Sequence, residues 1–100
     1  MELAPIVLFV YNRPEHTRAC LEYLERNELA AESELYVFAD GAKSGSEEAV
    51  AAVRRVIAEP WKFKRLNVVE RPENKGLAAN VIAGVTSVLE THDRCLLYTS

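Results

Sequence analysis

Six side chains able to recognise a ligand stand at three positions where a chain of this pattern brings loops together. Tyr11, Asn12 and Arg13 follow a first apolar run, Asp40 closes a second, and Asn74 with Lys75 follows a third. A phenol ring can stack on a flat partner, and a carboxylate accepts hydrogen bonds from N–H groups. A guanidinium or an ammonium offsets an anion. This is a recognition set. No residue of the chain is assigned a catalytic role.

The elements that must position these groups are legible as an alternation. Ile6 to Val10 is an unbroken apolar run rich in β-branched residues, the pattern of a strand covered on both faces. Pro14 suits the first turn of a helix, with Asn12 or Arg13 as cap and Asn the better capping type. Thr17, Cys20, Leu21 and Leu24 recur at three and four residues, which predicts one core-facing stripe that fades near Asn27. A second run, Leu35 to Ala39, stops at Asp40-Gly41. The next helix places Val50, Val53, Val56 and Ile57 inward and Arg54 and Arg55 outward, and Pro60 ends it. Ser44 with Glu47 can form a capping box there, with Ser46 as a competing cap.

Trp61 to Lys64 reads as a connector whose aromatics cover a sheet edge or a helix end. Leu66 to Glu70 reads as a shorter strand, and Leu77, Val81, Val85 and Val88 or Leu89 mark a third helix. Gly84 within it points to close packing, and Cys95 to Tyr98 starts a fourth strand. Such alternation predicts an α/β fold with right-handed crossovers and a parallel sheet. In open sheets of that kind ligands bind beyond the carboxyl ends of the strands, where the three loops converge.

One hundred residues bound the chain to a single domain, 1–100. A net charge of −3 gives no general attraction to nucleic acid, so no nucleic-acid partner is expected. No apolar run approaches the roughly 18 residues of a membrane span. Cys20 and Cys95 fit neither metal nor disulfide spacing, and two reduced cysteines point to the cytoplasm. Membrane association of a full-length protein stays open. A dinucleotide fingerprint requires glycines straight after the first strand, where Tyr11-Asn-Arg-Pro14 stands instead. A phosphate loop ending in Lys43-Ser44 requires glycine at Ala42 and Val37. A phosphorylated receiver requires an acidic pair after the first strand, and none is there.

Three motifs in order do carry a resemblance: Val7-Leu-Phe-Val-Tyr-Asn-Arg-Pro-Glu15, Phe38-Ala-Asp-Gly41, and Arg71-Pro-Glu-Asn-Lys-Gly-Leu-Ala-Ala-Asn80. Over residues 5 to 94 the chain resembles family-two glycosyltransferases of the GT-A fold, a Rossmann-like α/β architecture. The resemblance implies a nucleotide-sugar donor, typically a UDP-sugar, and an acceptor glycan or other hydroxyl. Residues 11 to 13 match the loop that wraps the nucleoside, and Asp40 matches the acid that bonds the base. A carboxylate there can accept the imide N–H of uracil, which cytosine lacks. Asn74 and Lys75 match the loop lining the donor site. The competing readings are turn chemistry for Asp40-Gly41, an N-cap for Asn74 and a solvated surface lysine for Lys75.

The family also implies Mg²⁺ or Mn²⁺, held by an acidic motif at the end of the fourth strand. Here that strand reads Cys95-Leu-Leu-Tyr-Thr-Ser100. The expectation is therefore an incomplete GT-A domain of three or four mainly parallel strands, the donor-binding half of an enzyme and inactive alone. Its last six residues resemble a translated adapter, as at the ends of metagenomic gene fragments. The rival expectations are a sugar nucleotidyltransferase-like enzyme and a non-catalytic nucleotide-binding or interaction module.

Overall fold

A computed structural model describes residues 3–27 and 29–100. The order is β1 (Ile6–Val10), α1 (Pro14–Glu25), a 3₁₀ turn at Ala30–Glu32, β2 (Glu34–Ala39), α2 (Glu47–Ile57), β3 (Arg65–Glu70), α3 (Leu77–Leu89) and β4 (Leu96–Thr99). The sheet runs β3-β2-β1-β4, and every neighbouring pair is parallel. This is the Rossmann-like α/β arrangement that the GT-A resemblance implies.

Side-chain alternation along β1 divides the core in two. Ile6, Leu8 and Val10 face one way and meet Leu21 and Leu24 of α1 with Val53, Val56 and Ile57 of α2. Val7 and Phe9 face the other way and meet Val88 of α3. The chain steps from β1 out to β3 on one side, then returns to the far side of β1 for β4. With a fixed right-handed crossover, that reversal moves the last helix to the opposite face. The sequence order thus decides which helix covers which face.

The connector after α2 does what its aromatics predict. The Trp61 indole N–H donates to the Val56 carbonyl at 2.9 Å, and Trp61 and Phe63 pack against the α1–α2 core. Arg18 reaches Glu59 across the helix pair, with Nη1 to Oε1 at 2.7 Å. The hydrogen bond from Arg18 holds the Glu59 carboxyl below its ordinary pKa. Its contribution to stability is present above the ordinary carboxylate range and fades as pH falls through the depressed value.

Two local expectations are corrected, and one choice between alternatives is decided. No capping box forms at α2: Ser46 is the cap without a side-chain bond, and Glu47 instead accepts the Gly45 N–H at 2.9 Å. At α1, of the two candidates Asn12 and Arg13, the cap is Arg13. Along α3 Val88 is buried and Val81 and Val85 pack half-buried against the same core as expected, but Leu77 is 64% exposed and the other buried positions are Asn80 and Gly84. Asn80, a polar residue, points into the core, and a pattern drawn through apolar residues alone steps around it.

Gly84 explains how close α3 lies. A Cβ there would stand 2.7 Å from Phe9 Cε1 and 3.0 Å from Phe38 Cδ2. Those two rings are buried and stacked, with centroids 5.4 Å apart. Gly84→Ala gains up to about 1 kcal/mol of helix propensity, but overpacking costs about 1–3 kcal/mol. Denaturant unfolding should therefore show a net loss of stability. A variant as stable as the parent would mean that the two rings yield freely.

Candidate functional site

The carboxyl ends of β1 and β2 meet around one buried acid. Asp40 follows directly on β2, is 3% exposed, and its backbone N–H donates to the Val10 carbonyl at 3.0 Å. A buried carboxylate is costly unless its oxygens find donors. Asp40 finds them in its own turn and in the loop between β3 and α3. Oδ1 accepts from Gly41 N–H at 2.9 Å and Lys75 N–H at 2.8 Å. Oδ2 accepts from Gly76 N–H at 3.0 Å and Asn74 Nδ2 at 3.3 Å. A carboxylate offers about four acceptor positions, and here all are used. Asp40 is a clamp on the β3–α3 loop.

Two glycines make the clamp possible. Gly41 lies under the loop so closely that a Cβ would stand 2.4 Å from the Glu73 carbonyl carbon. Gly76 caps α3 at φ 85° and ψ 156°, a conformation open essentially to glycine alone. Gly76 as the cap also sets aside the N-cap reading of Asn74. That side chain turns to the clamp instead, and its amide donates a second bond to the Gly41 carbonyl at 2.9 Å.

The start of the same loop is fastened separately. Arg71 N–H donates to the Ala39 carbonyl at 2.8 Å, and the Arg71 carbonyl accepts from Arg54 Nη2 at 2.8 Å. Arg54 was expected on the wet side of α2, yet it is half-buried and braces the loop. The Arg71 guanidinium lies 5.3 Å over the Phe38 ring and donates through Nε to Asn80 Oδ1 at 3.1 Å. Asn80, 1% exposed, donates in turn to the Phe38 carbonyl at 3.4 Å.

Beside the clamp lies a cavity of about 170 Å³, lined by Phe9, Val10, Tyr11, Asp40, Lys43, Asn74, Gly76, Leu77, Asn80 and Ser100. It sits where the strand order reverses, between β1 and β4, the place where open α/β sheets bind ligands. The Tyr11 hydroxyl accepts the Lys43 N–H at 3.3 Å, which ties the first loop to the second. A larger hollow of about 640 Å³ opens at the amino ends of the strands, lined by Leu3, Pro5, Glu34, Lys64 and His92 among others. It lies at the end of the sheet away from the converging loops, so the smaller cavity is the candidate site.

Of the six residues singled out in sequence, the cavity brings together Tyr11, Asp40 and Asn74. Asn12, Arg13 and Lys75 lie outside the lining, Asn12 and Lys75 next to lining residues in the chain, with Arg13 and Lys75 exposed. Lys75 enters the clamp through its backbone, not its ammonium. The sequence reading missed Lys43, Arg54, Arg71 and Asn80. Of these, Asn80 carried a signal, since it lies four residues after Gly76 and four before Gly84 on one helical face.

Residues 6–90 match the family described as Glycosyl transferase family 2. The chain belongs to that family. No curated protein and no solved structure matches it. The match ends before β4, so it takes in both glycines, the clamp and every lining residue of this family 2 chain except Ser100.

Among the described residues no group of three His, Cys, Asp or Glu gathers to hold a metal ion. Asp40, the acid lining the cavity, is ringed by N–H donors rather than left open to a cation. These residues do not fit the Mg²⁺ or Mn²⁺ that the family implies, and no step is assigned to such an ion.

Gly41→Ala tests the clamp from beneath. The added methyl must lift Glu73 and carry Asn74 to Gly76 away from Asp40. Amide chemical shifts of residues 73–76 should move, with a stability loss of about 1–3 kcal/mol, the size of a buried acceptor left unsatisfied. Unchanged shifts in that loop would show that the close contact is not rigid.

Proposed function

We propose that the cavity receives the nucleoside of a nucleotide-sugar donor, a UDP-sugar, for transfer to the hydroxyl of an acceptor glycan or other molecule. The observation that supports this reading is the buried Asp40 carboxylate facing a cavity at the switch point of a family 2 chain. At about 170 Å³ the cavity is smaller than the roughly 300–1,000 Å³ of whole-ligand clefts. It suits a nucleobase, with the rest of the donor outside.

In this reading Tyr11 stacks on the base or ribose, and Asp40 accepts the uracil imide N–H in exchange for one of its four present donors. Asn12 adjoins Tyr11 in the loop around the nucleoside, and Asn74 borders the base. Arg13 and Lys75, both exposed, face the diphosphate as it leaves the cavity. Lys43, which lines the cavity, adds a third cation. Both cysteines are free, in keeping with a reducing, cytoplasmic setting. No described helix is long and apolar enough to cross a membrane.

Sugar transfer would further need a base to activate the acceptor hydroxyl. Asp40 serves N–H donors here rather than an acceptor hydroxyl, so the part proposed for these residues is donor binding without turnover. Calorimetry should find UDP binding to residues 1–100 about tenfold or more tighter than CDP, since a hydrogen bond to a charged group is worth about 1.5–3 kcal/mol. A parallel assay with UDP-sugars and Mn²⁺ should show no transfer. Equal affinity for the two nucleotides, or manganese-dependent turnover, would contradict the reading.

A further inference from the structure

We infer that Asn74 is an internal stand-in for the ligand, whose amide fills the one acceptor position of Asp40 that a nucleobase can take. This rests on the nucleotide reading above. Three of the four donors to Asp40 are backbone N–H groups, of Gly41, Lys75 and Gly76, at 2.8–3.0 Å. None of them can leave without unmaking the loop. The fourth, Asn74 Nδ2, is a side-chain donor at 3.3 Å, the longest of the set.

Asn74 is half-buried and lines the cavity, so its side chain has somewhere to go. Its departure frees Oδ2 toward the cavity and also releases the Gly41 carbonyl, its other partner at 2.9 Å. The freed oxygen then has room for a single N–H. That matches the lone imide donor of uracil, whereas the corresponding ring nitrogen of cytosine carries no hydrogen and would face a carboxylate lone pair. Asn74 thus competes with the ligand and sets how much binding the acid can return. The apparent affinity is the intrinsic one multiplied by the fraction of molecules in which Asn74 has left the acid.

The test compares UDP binding to the wild-type chain and to Asn74→Ala. The stand-in predicts roughly 3- to 10-fold tighter binding by the variant, the range for one exchanged hydrogen bond. It also predicts, in the wild type, that UDP shifts the Asn74 side-chain NH₂ resonances and speeds their exchange. The Lys75 and Gly76 amides should stay protected meanwhile. The wild-type readout does not depend on the variant folding, and a thermal melt shows whether it does. Equal or weaker UDP binding by a folded Asn74→Ala chain overturns the inference while leaving the nucleotide site standing. So do Asn74 NH₂ signals that stay put at saturating UDP. If neither protein binds UDP at millimolar concentration, the nucleotide reading itself fails.

Discussion

A charged carboxylate with almost no exposure must be given donors, and in this chain only one arrangement of loops supplies them. Asp40 follows β2, a central strand of the sheet, and is 3% exposed. The turn at Gly41 provides one N–H, and the β3–α3 loop must fold back to provide three more donors. That requirement sets the path of residues 73–76, excludes a side chain at position 41, and forces Gly76 into a conformation that other residues avoid. It also fixes where α3 begins, because Gly76 is both a donor to Asp40 and the cap of the helix.

From that starting point α3 runs back across the sheet, and Gly84 lets it settle on the stacked Phe9 and Phe38 rings. Asn80 joins the two halves of this layer. It bonds the Phe38 backbone on one side and the Arg71 side chain on the other. The loop is therefore tied at its start by Arg71 and Arg54 and at its end by Asp40. The cavity is what remains between this fixed loop and the first loop at Tyr11. Its shape depends on backbone hydrogen bonds more than on mobile side chains, a setting suited to recognition.

Much of this fold was legible in the sequence because its strands are continuous apolar runs. β1 and β2 fall within a residue of the apolar runs, since central parallel strands hide both faces and need no polar alternation. Asp40 stood out for its position after β2. Its four donors did not, because three come from residues 34 to 36 positions away and three are backbone groups that carry no residue signature. The α3 stripe held at Val81, Val85 and Val88 but left out Asn80, which is buried with hydrogen bonds to Arg71 and Phe38 that no periodicity of apolar residues reveals. Arg54 reads as a solvent-facing charge until the Arg71 carbonyl is seen within its reach. In each case the fold followed from local pattern and the site from contacts between distant segments.

The central claim is that the Asp40 carboxylate holds the β3–α3 loop in place, and amide hydrogen exchange measures that most directly. Asp40→Asn replaces one acceptor oxygen with a donor, which must face N–H groups already pointing at it. The account predicts that Lys75 and Gly76 amides, slow to exchange in the parent chain, lose their protection in Asp40→Asn. Amides of the β1–β2 ladder should keep theirs. Lys75 and Gly76 amides that exchange at unprotected rates in the parent chain, or remain equally protected in the variant, would contradict it.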